Sequence, residues 1–134
     1  MPVRSSTSSV LKWPDRPTVV GALRRWATAL AETYPIVLRI GYVGSYARGD
    51  WGPGSDLDVL LVVESSPEEF TRRPAAWDTT GLPVPVDLMV YTRAEWEHLD
   101  PQSRFARMVA REAVWIFARA AEPARSAVGP IPTR

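Results

Sequence analysis

Three acidic side chains and one glycine-serine turn carry the chemistry in this sequence. Asp56 and Asp58 stand two apart at the head of an apolar run, Leu57 to Val63. A strand alternates its side chains with a period of two, so both carboxylates share a face while Leu57 and Val59 point the other way, into a core. Two unpaired carboxylates a few ångströms apart repel each other. A strand edge that keeps both usually holds a cation, and an oxygen-only donor set favours a hard ion, magnesium or manganese. A lone Asp-x-Asp, however, is more often a solvated turn.

The third acid is Asp87, inside the apolar stretch Val84-Pro85-Val86-Asp87-Leu88-Met89-Val90. A buried, ionised carboxylate costs several kcal/mol without a partner. An arginine, hydrogen-bond donors or a metal would each compensate it. If this strand lies beside that of Asp58, three carboxylates gather on one face. Opposite them would be Gly44-Ser45, which follows a β-branched run and opens a short turn. Glycine lets a backbone approach a ligand closely, and the free N–H groups of a helical start favour an anion. The Ser45 hydroxyl adds a donor, and Arg48 a charged one. By itself a Gly-Ser turn is an ordinary loop in most proteins. Together, an anion cradle and three carboxylates form the layout for metal-assisted phosphoryl-type transfer.

The elements that must position these groups follow from periodicity. Val19, Leu23, Trp26 and Leu30 recur at helical spacing, predicting a helix over Thr18 to Tyr34, capped by Thr18 and stopped by Pro35. Ile36 to Val43 reads as a strand, and Leu57 to Val63 as a strand buried on both faces. Ser66-Pro67-Glu68-Glu69 predicts a capped helix ended by Pro74. Val84 to Tyr91 is a third strand, and Thr92 with Glu95 forms a capping box for a short helix to about Leu99. Asp100-Pro101 starts a last helix with the stripe Phe105, Met108, Val109, Ala113, Ile116 and Phe117. The expected fold class is α/β or α+β, a small mixed sheet of three or more strands covered by helices. The expected boundaries are a single domain over 18–121 between flexible tails at 1–17 and 122–134.

Composition narrows the classes. The 134 residues suit one domain. Sixteen basic residues, 15 of them arginine, against 15 acidic ones give a net charge of +1, which speaks against a dedicated nucleic-acid binder. With no cysteine, disulfides, thiolate catalysis and zinc fingers drop out. The single histidine, His98, argues against a Ser-His-Asp triad or a multi-histidine metal site and is expected on a helix surface. No apolar run has membrane-spanning length and no secretion signal is apparent, so the expectation is a cytoplasmic protein.

Gly44-Ser45, ten intervening residues, then Asp56-x-Asp58 resembles the signature of the nucleotidyltransferase superfamily that includes DNA polymerase β. Gly44-Ser45-Tyr46-Ala47-Arg48-Gly49 further resembles its minimal nucleotidyltransferases, small proteins often encoded beside a helical HEPN-domain protein. The resemblance covers about residues 18 to 120 and implies the nucleotidyltransferase fold. It implies that Gly44 and Ser45 hold the β- and γ-phosphates of a nucleoside triphosphate, with Arg48 and Ser55 as further nucleotide-binding residues. Asp56 and Asp58 would ligate two magnesium ions, with manganese as the alternative. Asp87 would ligate the ion nearer the acceptor and help deprotonate its hydroxyl. The implied reaction moves a nucleoside monophosphate, AMP from ATP, onto a hydroxyl and releases pyrophosphate. The implied partners are a nucleoside triphosphate and a HEPN-type protein, which would make the chain an antitoxin, or a second copy in a homo-oligomer. Only 47 residues follow Asp87, fewer than the substrate domain of larger relatives needs. A competing expectation is a non-catalytic module that neutralises a helical partner by direct contact.

Other residues have plainer readings. Trp26, Trp96 and Trp115 are expected on helices, in the core or an interface. Trp51 is balanced between stacking on a base and packing its loop. Asp50 is expected to be solvated, and Arg104, Arg107, Arg111 and Glu112 to form the wet face of the last helix, with triphosphate or a partner as the alternative contact for Arg104 and Arg111.

Overall fold

Asp15, not Thr18, starts the first helix. Its Oδ1 accepts a hydrogen bond from the Thr18 backbone N–H at 2.9 Å, and helix α1 runs Arg16–Thr33. The cap lies upstream because Pro17 at the helix start has no N–H to satisfy. In this computed structural model, which describes residues 13–120, the folded unit therefore begins before Thr18. Trp13 Nε1 donates to the Tyr46 hydroxyl at 3.0 Å, and Arg16 donates to the Tyr46 carbonyl at 2.7 Å and the Tyr42 hydroxyl at 3.1 Å. Residues 13–17 of the expected tail are thus part of the fold. The remaining positions of that tail, 1–12, and the expected tail at 122–134 lie outside the described residues.

The described residues form one four-stranded sheet: β1 Val37–Val43, β2 Leu57–Val63, β3 Val86–Thr92 and β4 Val114–Ala118, in the order β3-β2-β1-β4. β1 is antiparallel to β2 and β4, and β2 is parallel to β3. The mixed sheet with covering helices fits the expected fold class. Leu57, Val59, Leu61 and Val63 of β2 are buried with Val19, Leu23, Ala27 and Leu30 of α1, so α1 seals one face of the sheet. Each leucine or valine so removed from water contributes about 1.5–3 kcal/mol. β2 is buried almost throughout, as its continuous apolar run predicts.

The fourth strand corrects the reading of the last helix, which is α4, Arg104–Glu112, capped by Ser103 rather than Asp100. Ile116, Phe117 and Trp115 belong to β4. Val114-Trp115-Ile116-Phe117 is a β-branched and aromatic run, and a free edge of β1 was available to pair with it. Gly41 makes that pairing possible. A Cβ there would stand 2.6 Å from Trp115 Cε3 and 2.9 Å from the Val114 carbonyl.

The helix expected at Ser66 is also different. Ser66 Oγ accepts from the Glu68 N–H at 3.2 Å in a tight turn, and a 3-10 helix spans Phe70–Ala76, with Pro74 inside it. What secures this segment is Arg73, only 7% exposed. Its guanidinium donates to the Glu68 and Val90 carbonyls at 2.8 and 3.0 Å and to both oxygens of Glu95, at 2.6 and 3.0 Å. Glu95 also completes the capping box with Thr92 at the start of helix α3, Arg93–Glu97, as its spacing predicts, although α3 stops short of Leu99. Tyr91, Trp96, Phe105 and Trp115 form a chain of ring contacts joining β3, α3, α4 and β4.

Candidate active site

The site forms where β1 ends and β2 and β3 begin. β1 stops at Val43, Gly44 turns the chain at φ 81°, and helix α2 spans Ser45–Arg48 before Gly49 closes it in a left-handed conformation at φ 90°. Gly44 is required twice. Its φ lies where side chains are strained, and a Cβ on it would collide with Asp58 Oδ2. The Gly44 turn and the Asp58 carboxylate are thus in direct apposition.

The sheet register supplies the rest. Val43 pairs with Asp58, and Asp58 pairs with Asp87 across the parallel β2–β3 ladder. Residues paired in register project to the same side of a sheet, so the two carboxylates share a face. Asp56 lies two residues ahead of Asp58 and is exposed. Asp87 is also exposed, at the second position of β3. The expectation of a buried, compensated Asp87 is therefore corrected: the strand starts at Val86, and this end of it meets solvent.

The acids act on one another through their charges. The Asp58 carboxyl is pushed above the usual carboxylate range, first by burial, then by the charges of Asp87 and Asp56 and, more weakly, Glu112, against the opposing pull of Arg48. Carboxylates that disfavour one another's ionisation suit a divalent cation, and their oxygen donors suit magnesium or manganese. Among the described residues no three such side chains already close on a single cation position. They are neighbours on an open shelf. A separate groove of about 410 Å³, lined by Arg39, Trp96, Leu99, Val109 and Trp115 among others, includes none of these acids.

The remaining predicted residues fall as follows. Ser45 opens α2 and is half-buried. Arg48, 46% exposed, donates through Nε to Asp50 at 3.0 Å and through Nη1 to Glu112 at 3.4 Å, so Asp50 is ion-paired rather than merely solvated. Those carboxylates, Asp50 foremost, raise the guanidinium's pKa. The Ser55 hydroxyl accepts from the Gly52 N–H at 2.9 Å and is engaged in shaping its own loop. Trp51 stacks on the buried Tyr46 ring, with centroids 5.5 Å apart, which resolves its balance in favour of loop packing. His98 caps α3 at the surface, as expected.

Sequence reasoning missed two supports. Arg16 and Trp13 brace α2 through Tyr46, from a segment expected to be a tail. Glu112 is not on a wet face: its side chain is 9% exposed and its Oε1 accepts from the Gly44 N–H at 3.3 Å. Arg104, Arg107 and Arg111 are exposed, as expected. The available signal for Glu112 was an acid in the last turn of a helix, where the helix dipole disfavours it.

A family profile described as a nucleotidyltransferase domain matches residues 23–116. Among solved structures, a candidate nucleotidyltransferase from Sulfolobus solfataricus is similar at 19% identity, covering 78% of this chain and 84% of its own, with a TM-score of 0.56. At that identity the likeness speaks for the fold. A toxin–antitoxin crystallised with AMP-PNP is 14% identical over 86% of this chain and 80% of that chain, with a TM-score of 0.43, too low to carry an argument. No curated protein sequence matches the chain. No described helix is long and apolar enough to cross a membrane.

Proposed function

This chain belongs to the nucleotidyltransferase domain family, and from that premise we propose that it transfers AMP from ATP to a hydroxyl acceptor at the shelf formed by Gly44, Ser45, Asp56, Asp58 and Asp87. The single observation that carries the reading is the row Val43–Asp58–Asp87, which sets two carboxylates side by side next to a glycine that abuts one of them. Asp56, Asp58 and Asp87 would hold magnesium, two ions or manganese in its place, and such ions supply charge neutralisation at the phosphates. The Ser45 hydroxyl and the backbone amides that open α2 donate to the oxygens of the β- and γ-phosphates. Asp87, exposed at the shelf's edge, receives the proton of the acceptor hydroxyl. The acceptor oxygen forms its bond to the α-phosphorus as the bond from that phosphorus to the bridging oxygen breaks. The bridging electron pair leaves with pyrophosphate.

The acceptor in this reading is a tyrosine or serine of a HEPN-type partner, which would make the chain an antitoxin. The partner rests on the resemblance of the Gly44–Gly49 segment and is an analogy. An ATP-dependent modification of such a partner belongs in the cytoplasm. The test is incubation of the chain with α-labelled ATP, magnesium and the protein encoded beside it. Label should pass to the partner with wild type and fall at least 100-fold with Asp58→Asn. Equal labelling by the variant sinks the reading.

A further inference from the structure

We propose that Glu112 is a positioning residue that clasps both ends of the anion-binding turn, and so sets the geometry in which Gly44 and Ser45 meet phosphate. The inference rests on the nucleotide-transfer reading and deepens it. One oxygen does the clasping. Glu112 Oε1 accepts from the Gly44 N–H at 3.3 Å, where the turn begins, and from Arg48 Nη1 at 3.4 Å, where α2 ends. The partners lie 68 and 64 residues away in sequence, so the contact ties α4 to the far end of β1. The second oxygen, Oε2, stands 3.5 Å from Arg111 Nη2.

Its place on the helix and its burial mark this as more than a surface ion pair. A carboxylate in the last turn of α4 faces the negative end of the helix dipole. A nearly buried acid (9% exposed) at the disfavoured end of its helix needs compensating contacts, and beside the exposed Arg111 these come from the two ends of the turn. Trp13 and Arg16 hold the turn at Tyr46, and Glu112 holds it at the Gly44 amide, next to Asp58. Phosphate binding through backbone amides depends on amide positions to a few tenths of an ångström, so a clasp at Gly44 acts on nucleotide affinity before it acts on the chemical step.

The experiment compares the full wild-type chain with Glu112→Ala, Glu112→Gln and Glu112→Asp. It reads ATP affinity by calorimetry without acceptor, KM and kcat of transfer, and the hydrogen-exchange rate of the Gly44 amide. Glu112→Ala should weaken ATP binding and raise KM at least tenfold, lower kcat less than threefold, and speed Gly44 exchange at least tenfold. Glu112→Gln retains an oxygen acceptor for Gly44 and should restore all of these to within about threefold of wild type. Wild-type affinity and exchange in Glu112→Ala overturn the proposal. So does tighter ATP binding, which would mean the carboxylate only competes with phosphate. If Glu112→Ala does not fold, Glu112→Asp, too short to span both contacts, is judged by the same criteria. A wild-type chain that binds no ATP defeats the nucleotide reading, and the clasp is then decided by Gly44 exchange alone.

Discussion

Asp58 of β2 and Asp87 of β3 are register partners on adjacent parallel strands, so two acids 29 positions apart in the chain are held on one face of the sheet. That arrangement stores repulsion. Functional sites commonly carry such a cost against stability.

Asp58→Asn removes one charge from the row. Transfer should fall at least 100-fold, while the thermal midpoint in metal-free buffer stays equal to or above that of wild type, because burial and neighbouring acids already disfavour the ionised Asp58. A midpoint lowered by several degrees would show that the carboxylate is a structural ligand within the fold.

Gly44→Ala and Gly49→Ala place a Cβ on two left-handed residues, at φ 81° and 90°. At Gly49 the Cβ meets nothing within 4 Å, so the cost is backbone strain alone, about 1–2 kcal/mol. At Gly44 the Cβ also collides with Asp58, and the loss should exceed that of Gly49→Ala by about 1 kcal/mol or more. Urea unfolding of the two variants side by side measures the difference.

Gly41→Val should detach β4, because the space above Gly41 is filled by Trp115. We expect a loss of about 1–3 kcal/mol from overpacking and partial recovery when Trp115→Ala is added. Additive losses in the double mutant would refute this contact as the cause.

The Arg73–Glu95 pair makes an acid-dependent prediction. Bidentate bonding to Arg73 holds the Glu95 carboxyl down at about 2, against an ordinary 4.5. A depressed acid contributes stability that is fully present above its unfolded value and is lost as pH falls through the folded one. The contribution is therefore complete above about pH 5 and fades between about 4.5 and 2. The Glu95 side chain is 42% exposed, so solvent screening limits the pair to about 1 kcal/mol. Glu95→Gln should destabilise the protein by about that amount at pH 7, and the difference should vanish near pH 2. Arg73→Ala should cost more, about 3 kcal/mol, since it also strips the Glu68 and Val90 carbonyls of their donor.

Much of this protein was legible from residue order. Period two set Asp58 apart from the buried Leu57 and Val59, the continuous apolar run of β2 announced burial on both faces, and Thr92 with Glu95 announced the start of α3. The Gly44–Asp58 spacing pointed to the family that the profile match establishes. These are local signals, complete within a dozen or so residues, and local sterics and hydrogen bonding enforce them wherever they occur. The misread features were non-local. Val114–Phe117 has apolar positions that satisfy either a helical stripe or a strand, and only the free edge of β1, with Gly41 leaving room for Trp115, makes it β4. Arg16 fell within an expected tail and Glu112 on an expected wet face because each finds its partner on another element, Tyr46 30 residues away and Gly44 68 residues away. Residue types along the chain determined which groups could do chemistry. Tertiary structure decided which charges are buried against that site and hold it in shape, because a side chain's burial and partners depend on which distant segments pack over it.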